Sequence, residues 1–132
     1  MKVILVFIAI LFFFVPGYCE QSKPAHSHAN LEAGAKETWD FGKVKHGEVV
    51  RHGFTLRNEG AKTINIKSVS TSCGCTASEV SKKALAPGDS TTIDVKFNSK
   101  GYSGPIKQFV FVNTDDLDNP LITFIIKAEV QK

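Results

Sequence analysis

Residues 49–60 read "VVRHGFTLRNEG". Val50, His52, Phe54 and Leu56 alternate with Arg51, Gly53, Thr55 and Arg57, and the run ends in the turn sequence Asn58-Glu59-Gly60. A period of two sends successive side chains to opposite faces of an extended chain. It marks a strand with one face on a core and the other in water. The same signature recurs on both sides. Trp39 and Phe41 alternate with Thr38, Asp40 and Gly42, Ile64 and Ile66 follow, and Ile93, Val95 and Phe97 stand against Asp94, Lys96 and Asn98. Turn chemistry separates the runs at His46-Gly47, "APGD" (86–89), "KGYSG" (100–104) and "DDLDNP" (115–120). Ile106–Val112 and Leu121–Val130 are more continuously apolar, as central strands of a sandwich are. No segment carries a helical stripe and no internal repeat occurs. About seven short strands predict an all-β fold, an antiparallel immunoglobulin-like β-sandwich over residues 37–132.

The segment ahead of this domain reads differently. Met1-Lys2 is a short basic start, Val3 to Val15 is an unbroken apolar run, and Pro16-Gly17 ends it. That layout is a secretory signal peptide, residues 1–19, because a bilayer span needs about 20 apolar residues. Cleavage after Cys19 predicts an exported protein, periplasmic or secreted. The alternative is a lipoprotein anchored through Cys19, which the preceding Tyr18 fits poorly. Residues 20–36 ("EQSKPAHSHANLEAGAK") lack periodicity and read as a flexible leader. Removal of Lys2 with the signal leaves 15 basic and 13 acidic residues, a nearly balanced charge. No basic stripe with interleaved aromatics is present, so nucleic acid is not an expected partner. Another envelope protein is.

Three cysteines occur, at 19, 73 and 75. In an oxidising compartment the pair in "STSCGCT" (70–76) is a candidate disulfide. If the strand simply continued, Cys73 and Cys75 would share a face with Cα atoms about 6.5–7 Å apart, and Gly74 would have to bend the chain to close the bond. Such a bridge encloses almost no loop and adds little stability, but a strained one is easily reduced, which admits a redox partner. Two thiolates at this spacing also suit copper(I). Zinc would need further ligands, with His46, His52, His26 and His28 as candidates. An iron–sulfur cluster calls for more cysteines than the chain has. The plainest reading is a structural loop whose cysteines form a local bridge or pack as small apolar groups.

The histidines have dull readings of their own. His26 and His28 fit leader composition, His46 sits in a solvated turn, and His52 shares a strand face with Val50 and Phe54, as a packing residue does. Asp115, Asp116, Asp118 and Asn119 crowd one loop without the spacing of a calcium motif, and read as an acidic turn. Lys82 and Lys83 read as a solvated loop edge. Neither G-x-S-x-G nor H-E-x-x-H occurs, and the chain is not expected to be an enzyme or to require a cofactor.

Taken together, "WDFGKVKHGEVVRHGFTLRNEGAKTINIKSVSTSCGCT" (39–76), "APGDSTTIDVKFNSKGYSGP" (86–105) and "VNTDD" (112–116) resemble the bacterial family of domain of unknown function fifteen-seventy-three. The resemblance runs from Glu37 to Val130. It implies an immunoglobulin-like β-sandwich, similar to Hydin-type and sperm-protein-like domains, in exported bacterial proteins. It implies no activity and carries over no catalytic or binding residue. Its hallmark is the Cys73-Gly74-Cys75-Thr76 block.

Overall fold

The computed structural model describes residues 35–74 and 76–132. Within them the alternating runs form eight strands: β1 (Glu37–Lys45), β2 (Val49–Arg57), β3 (Ile64–Thr71), β4 (Thr76–Val80), β5 (Ala84–Leu85), β6 (Ser90–Asn98), β7 (Gly104–Thr114) and β8 (Leu121–Gln131). They pack as two sheets, one in the order β1-β8-β7-β3-β5 and the other β2-β6-β4. The continuously apolar β7 and β8 are central, as expected. Two details differ from the sequence reading. The pairing of β1 with β8 is parallel, an exception in an otherwise antiparallel sandwich. The stretch after the cysteines, to which the alternation assigns no strand, is also not all loop. It contains β4, paired to β6, and the two-residue β5, paired to β3.

Phe54, Leu56, Ile93, Val95 and Phe97 of the three-stranded sheet meet Val110, Val112, Phe124 and Ile126 of the five-stranded one, all essentially out of solvent. Phe54 and Phe124 stack across the layers with centroids 4.7 Å apart. Even-numbered β2 residues thus line the core, while Arg51, Gly53, Thr55 and Arg57 face out, as the alternation predicted.

β1 departs from simple alternation because of one residue. Glu37 to Asp40 pair in step with Phe124 to Lys127, but Lys43 pairs with Glu129, so β1 carries one residue more than β8 between these points. Gly42 lies in this bulge with φ +67°, and its N–H donates to Asp40 Oδ1 at 2.7 Å. Glycine adopts that conformation without the Cβ clash other residues meet. The bulge reverses the parity of the strand: Val44 enters the core at 2% exposure, whereas Trp39 remains 40% exposed at the sandwich's side.

Phe54→Ala removes the ring that both sheets share. It is expected to cost about 3–5 kcal/mol, read as a lower urea midpoint at an unchanged m value.

Candidate functional site

The Cys73 segment lies at a corner. β3 ends at Thr71 in the five-stranded sheet and β4 begins at Thr76 in the three-stranded sheet, so the chain changes layer between them. Each side of the corner is tied down. Ser72 Oγ accepts the Phe109 N–H at 2.9 Å and bonds Gln108 Oε1 at 2.6 Å, while the Ser72 N–H donates to Phe109 O. Thr71 Oγ1 lies 2.9 Å from Cys73 O and 2.8 Å from Thr76 O, sharing its one proton between them. The Thr76 N–H closes a turn onto Cys73 O at 3.3 Å, and the Thr76 hydroxyl stands 3.5 Å from Cys73 Sγ. Cys73 is half-buried and Thr76 buried. The extended geometry assumed for the pair is therefore replaced by a turn starting at Cys73. Gly74 sits in it with open space where a Cβ would stand. Cys75, Cys19, His26 and His28 lie outside the described residues, as do the expected signal peptide and most of the expected leader.

Small polar residues around the cysteines are plain in the sequence, but the roles of Thr71, Ser72 and Gln108 are not. Hydroxyls at the end of the β3 strand pattern, just before the cysteines, are the signal that points to the first two. Gln108 gives none, because it belongs to a strand far away in sequence.

His52 is half-buried, as its strand position predicted. Its ring stacks on Trp39 at 3.9 Å and meets Phe54 edge-on at 4.7 Å, and its buried Nε2 has no hydrogen-bond partner. Burial pushes the imidazole pKa below its ordinary value, against a smaller opposing pull from the Glu37 carboxylate. His46 lies in the β1–β2 turn, where its Nε2 accepts the Gly101 N–H at 3.3 Å. Among the described residues no three His, Cys, Asp or Glu side chains come together closely enough to hold a metal ion, so neither histidine joins Cys73 in such a group.

At another end of the sandwich, the β2–β3 and β7–β8 loops wall a cleft of about 940 Å³. Asp115 is committed there to structure. Its two carboxylate oxygens accept the backbone and side-chain N–H groups of Asn65, each at 2.7 Å, and these bonds hold its pKa below the usual carboxylate range. Asp116 Oδ1 accepts the Asp118 N–H at 3.1 Å, bracing the loop internally. Lys82 is less solitary than a loop edge suggests, since it pairs with Asp89 across the turn before β6. Asn58 is buried and organises the β2–β3 loop, its amide donating to Lys62 O and Leu85 O at 2.8 Å.

Residues 33–130 match the family described as "Protein of unknown function (DUF1573)". The chain belongs to this family. Solved structures place its fold among immunoglobulin-like domains. A protein of unknown function from Porphyromonas gingivalis W83 is similar at 22% identity and a TM-score of 0.62, over 73% of this chain and 48% of that one. The VesB protease of Vibrio cholerae is similar at 16% identity and 0.61, over 70% of this chain and 30% of the protease. A PapD-like domain of human CEP192 is similar at 15% identity and 0.55, over 72% and 81% of the two chains. The chain thus spans less than half the length of the first two. At these identities the likeness is one of fold. No curated protein matches the chain significantly.

The His52 environment has a pH consequence. The unfolded imidazole titrates near 6.5 and the folded one lower, so unfolding takes up a proton as pH falls through that window. Stability present above about pH 6.5 is expected to drop as pH falls toward the folded pKa, and His52→Phe to flatten the dependence. Melting temperatures from pH 8 to pH 5 check this. Trp39 emission gives a second readout, since it is the chain's only tryptophan and stacks on the titrating ring.

Proposed function

We propose that this domain is an exported, non-catalytic binding or scaffold module of the cell envelope, and that its Cys73-Gly74-Cys75 corner is a structural joint closed by a Cys73–Cys75 disulfide. The observation that carries the reading is the corner itself. On one flank Ser72 is hydrogen-bonded to β7, on the other Thr76 pairs with Phe97 of β6, and the Cys73 carbonyl and sulfur both face threonine hydroxyls. A catalytic or cargo-binding thiol needs an approach and an activating neighbour. A joint needs anchoring, which is what surrounds Cys73. Export follows from the basic-then-apolar N-terminus, and an oxidising destination favours the bond. The partner of such a module is another envelope protein, met by a loop cluster or a sheet edge.

Intact mass of the exported protein tests the joint. Thiol alkylation is expected to add nothing until the protein is reduced and two groups afterwards; labelling without reduction would count against the bond. Because the ring is small, Cys73→Ser is expected to cost no more than about 2 kcal/mol. A reduction potential below about −300 mV, in the range of structural bonds, would count against redox cycling. Competition for copper(I) should give equal affinities for wild type and Cys73→Ser, and a weaker variant would favour metal handling instead.

A further inference from the structure

A sheet edge is a row of backbone donors and acceptors that invites another strand unless something blunts it. This sandwich blunts most of its edges. β1 carries the Gly42 bulge and the adjacent Lys43 and Lys45. β5 is two residues long, and β3 beside it shifts register between Ile66 and Ser68. β4 has five residues and starts directly at the corner. β2 is different: nine residues, no proline, and unbroken register with β6 from Val49 to Arg57. Among the described residues its other side pairs with nothing.

The direction of its backbone groups follows from the bonds at its two ends. The Ser99 N–H donates to Glu48 O, and the Asn58 N–H donates to Asp89 O. In an antiparallel ladder hydrogen-bonded pairs alternate with non-bonded ones. Even-numbered residues of β2 therefore bond to β6, and the N–H and C=O groups of Val49, Arg51, Gly53, Thr55 and Arg57 point to the unpaired edge.

The two faces beside this edge differ in chemistry. On the inner side lie Trp39, 40% exposed, and the half-buried Phe41, two rings 6.4 Å apart that make an apolar shelf. On the outer side Arg51 and Arg57 flank Gly53, with Lys96 opposite Arg51. Asp94, opposite Gly53, is the one acid that β6 adds to this face. A second copy of β2 paired antiparallel about Gly53 would bring four arginines together, which disfavours self-association.

We propose that the unpaired edge of β2 takes up an extended segment of a partner protein as a fourth strand of the smaller sheet. Apolar residues of that segment face Trp39 and Phe41, and acidic residues alternate with them toward Arg51 and Arg57. The proposal rests on the binding-module reading and names its surface and the chemistry of its partner.

The test uses the exported protein and a synthetic peptide matched to β2 in length, alternating valine with glutamate, and a valine–lysine peptide as its counterpart. Amide shifts should change at Arg51, Gly53 and Thr55, their hydrogen exchange should slow, and Trp39 emission should move. The lysine peptide should bind about tenfold more weakly or worse. Arg51→Glu/Arg57→Glu should lose a similar factor while melting as wild type does. Thr55→Pro, which deletes one outward N–H, should abolish binding, and the charge variant keeps the test valid if the proline variant does not fold. Equal affinity for the two peptides, no binding up to about 1 mM, or dimerisation through β2 would overturn the proposal. Shifts confined to the cleft between the β2–β3 and β7–β8 loops would also overturn it, while leaving the binding-module reading in place.

Discussion

Phe54 and Phe124 come from different sheets and meet ring to ring, and most of the remaining architecture follows from keeping them there. For Phe54 to face inward, β2 must hold its even residues on the core, which fixes its register against β6. For Phe124 to face inward, β8 must hold Ile126 and Ala128 on the same side, which fixes β7 and β1 beside it. A slip of one residue in β2 would turn Arg51, Gly53, Thr55 and Arg57 toward the core in place of His52, Phe54 and Leu56. The Gly42 bulge and the hydroxyl-lined corner are local answers to this constraint. One lets β1 change parity without disturbing β8, and the other lets the chain leave one layer and join the second within four residues.

Legibility in the sequence follows the strength of local signals. β2 and β6 alternate cleanly, and residue type alone assigns their faces. β4 is invisible there, because Thr76–Val80 is small and polar along most of its length and becomes a strand only through β6. The parallel β1–β8 pair is equally hidden, since parallel pairing joins residues some 86 positions apart and leaves no turn between them to read. Trp39 and Phe41 resemble core residues by alternation. Only the bulge at Gly42 shows why they close the side of the sandwich instead.

The candidate site divides the same way. The cysteine pair and His52 stand out by residue type, and His52 lies where its strand parity puts it. The surroundings of Cys73 do not stand out, because Gln108 and Phe109 reach the corner from β7 across the sheet. Asp115 gives the opposite impression, a conspicuous acidic loop whose first carboxylate holds Asn65.

The parallel pairing of β1 with β8 has a mechanical side. The chain enters β1 beside Phe124 and leaves β8 beside Lys45, at opposite ends of one ladder. Tension applied to the chain ahead of β1 and beyond β8 therefore runs along the strands. It loads the bonds of that ladder together, in shear, where a hairpin pulled from its open end would peel bond by bond. Such an arrangement resists extension between its two ends far better than its modest size suggests.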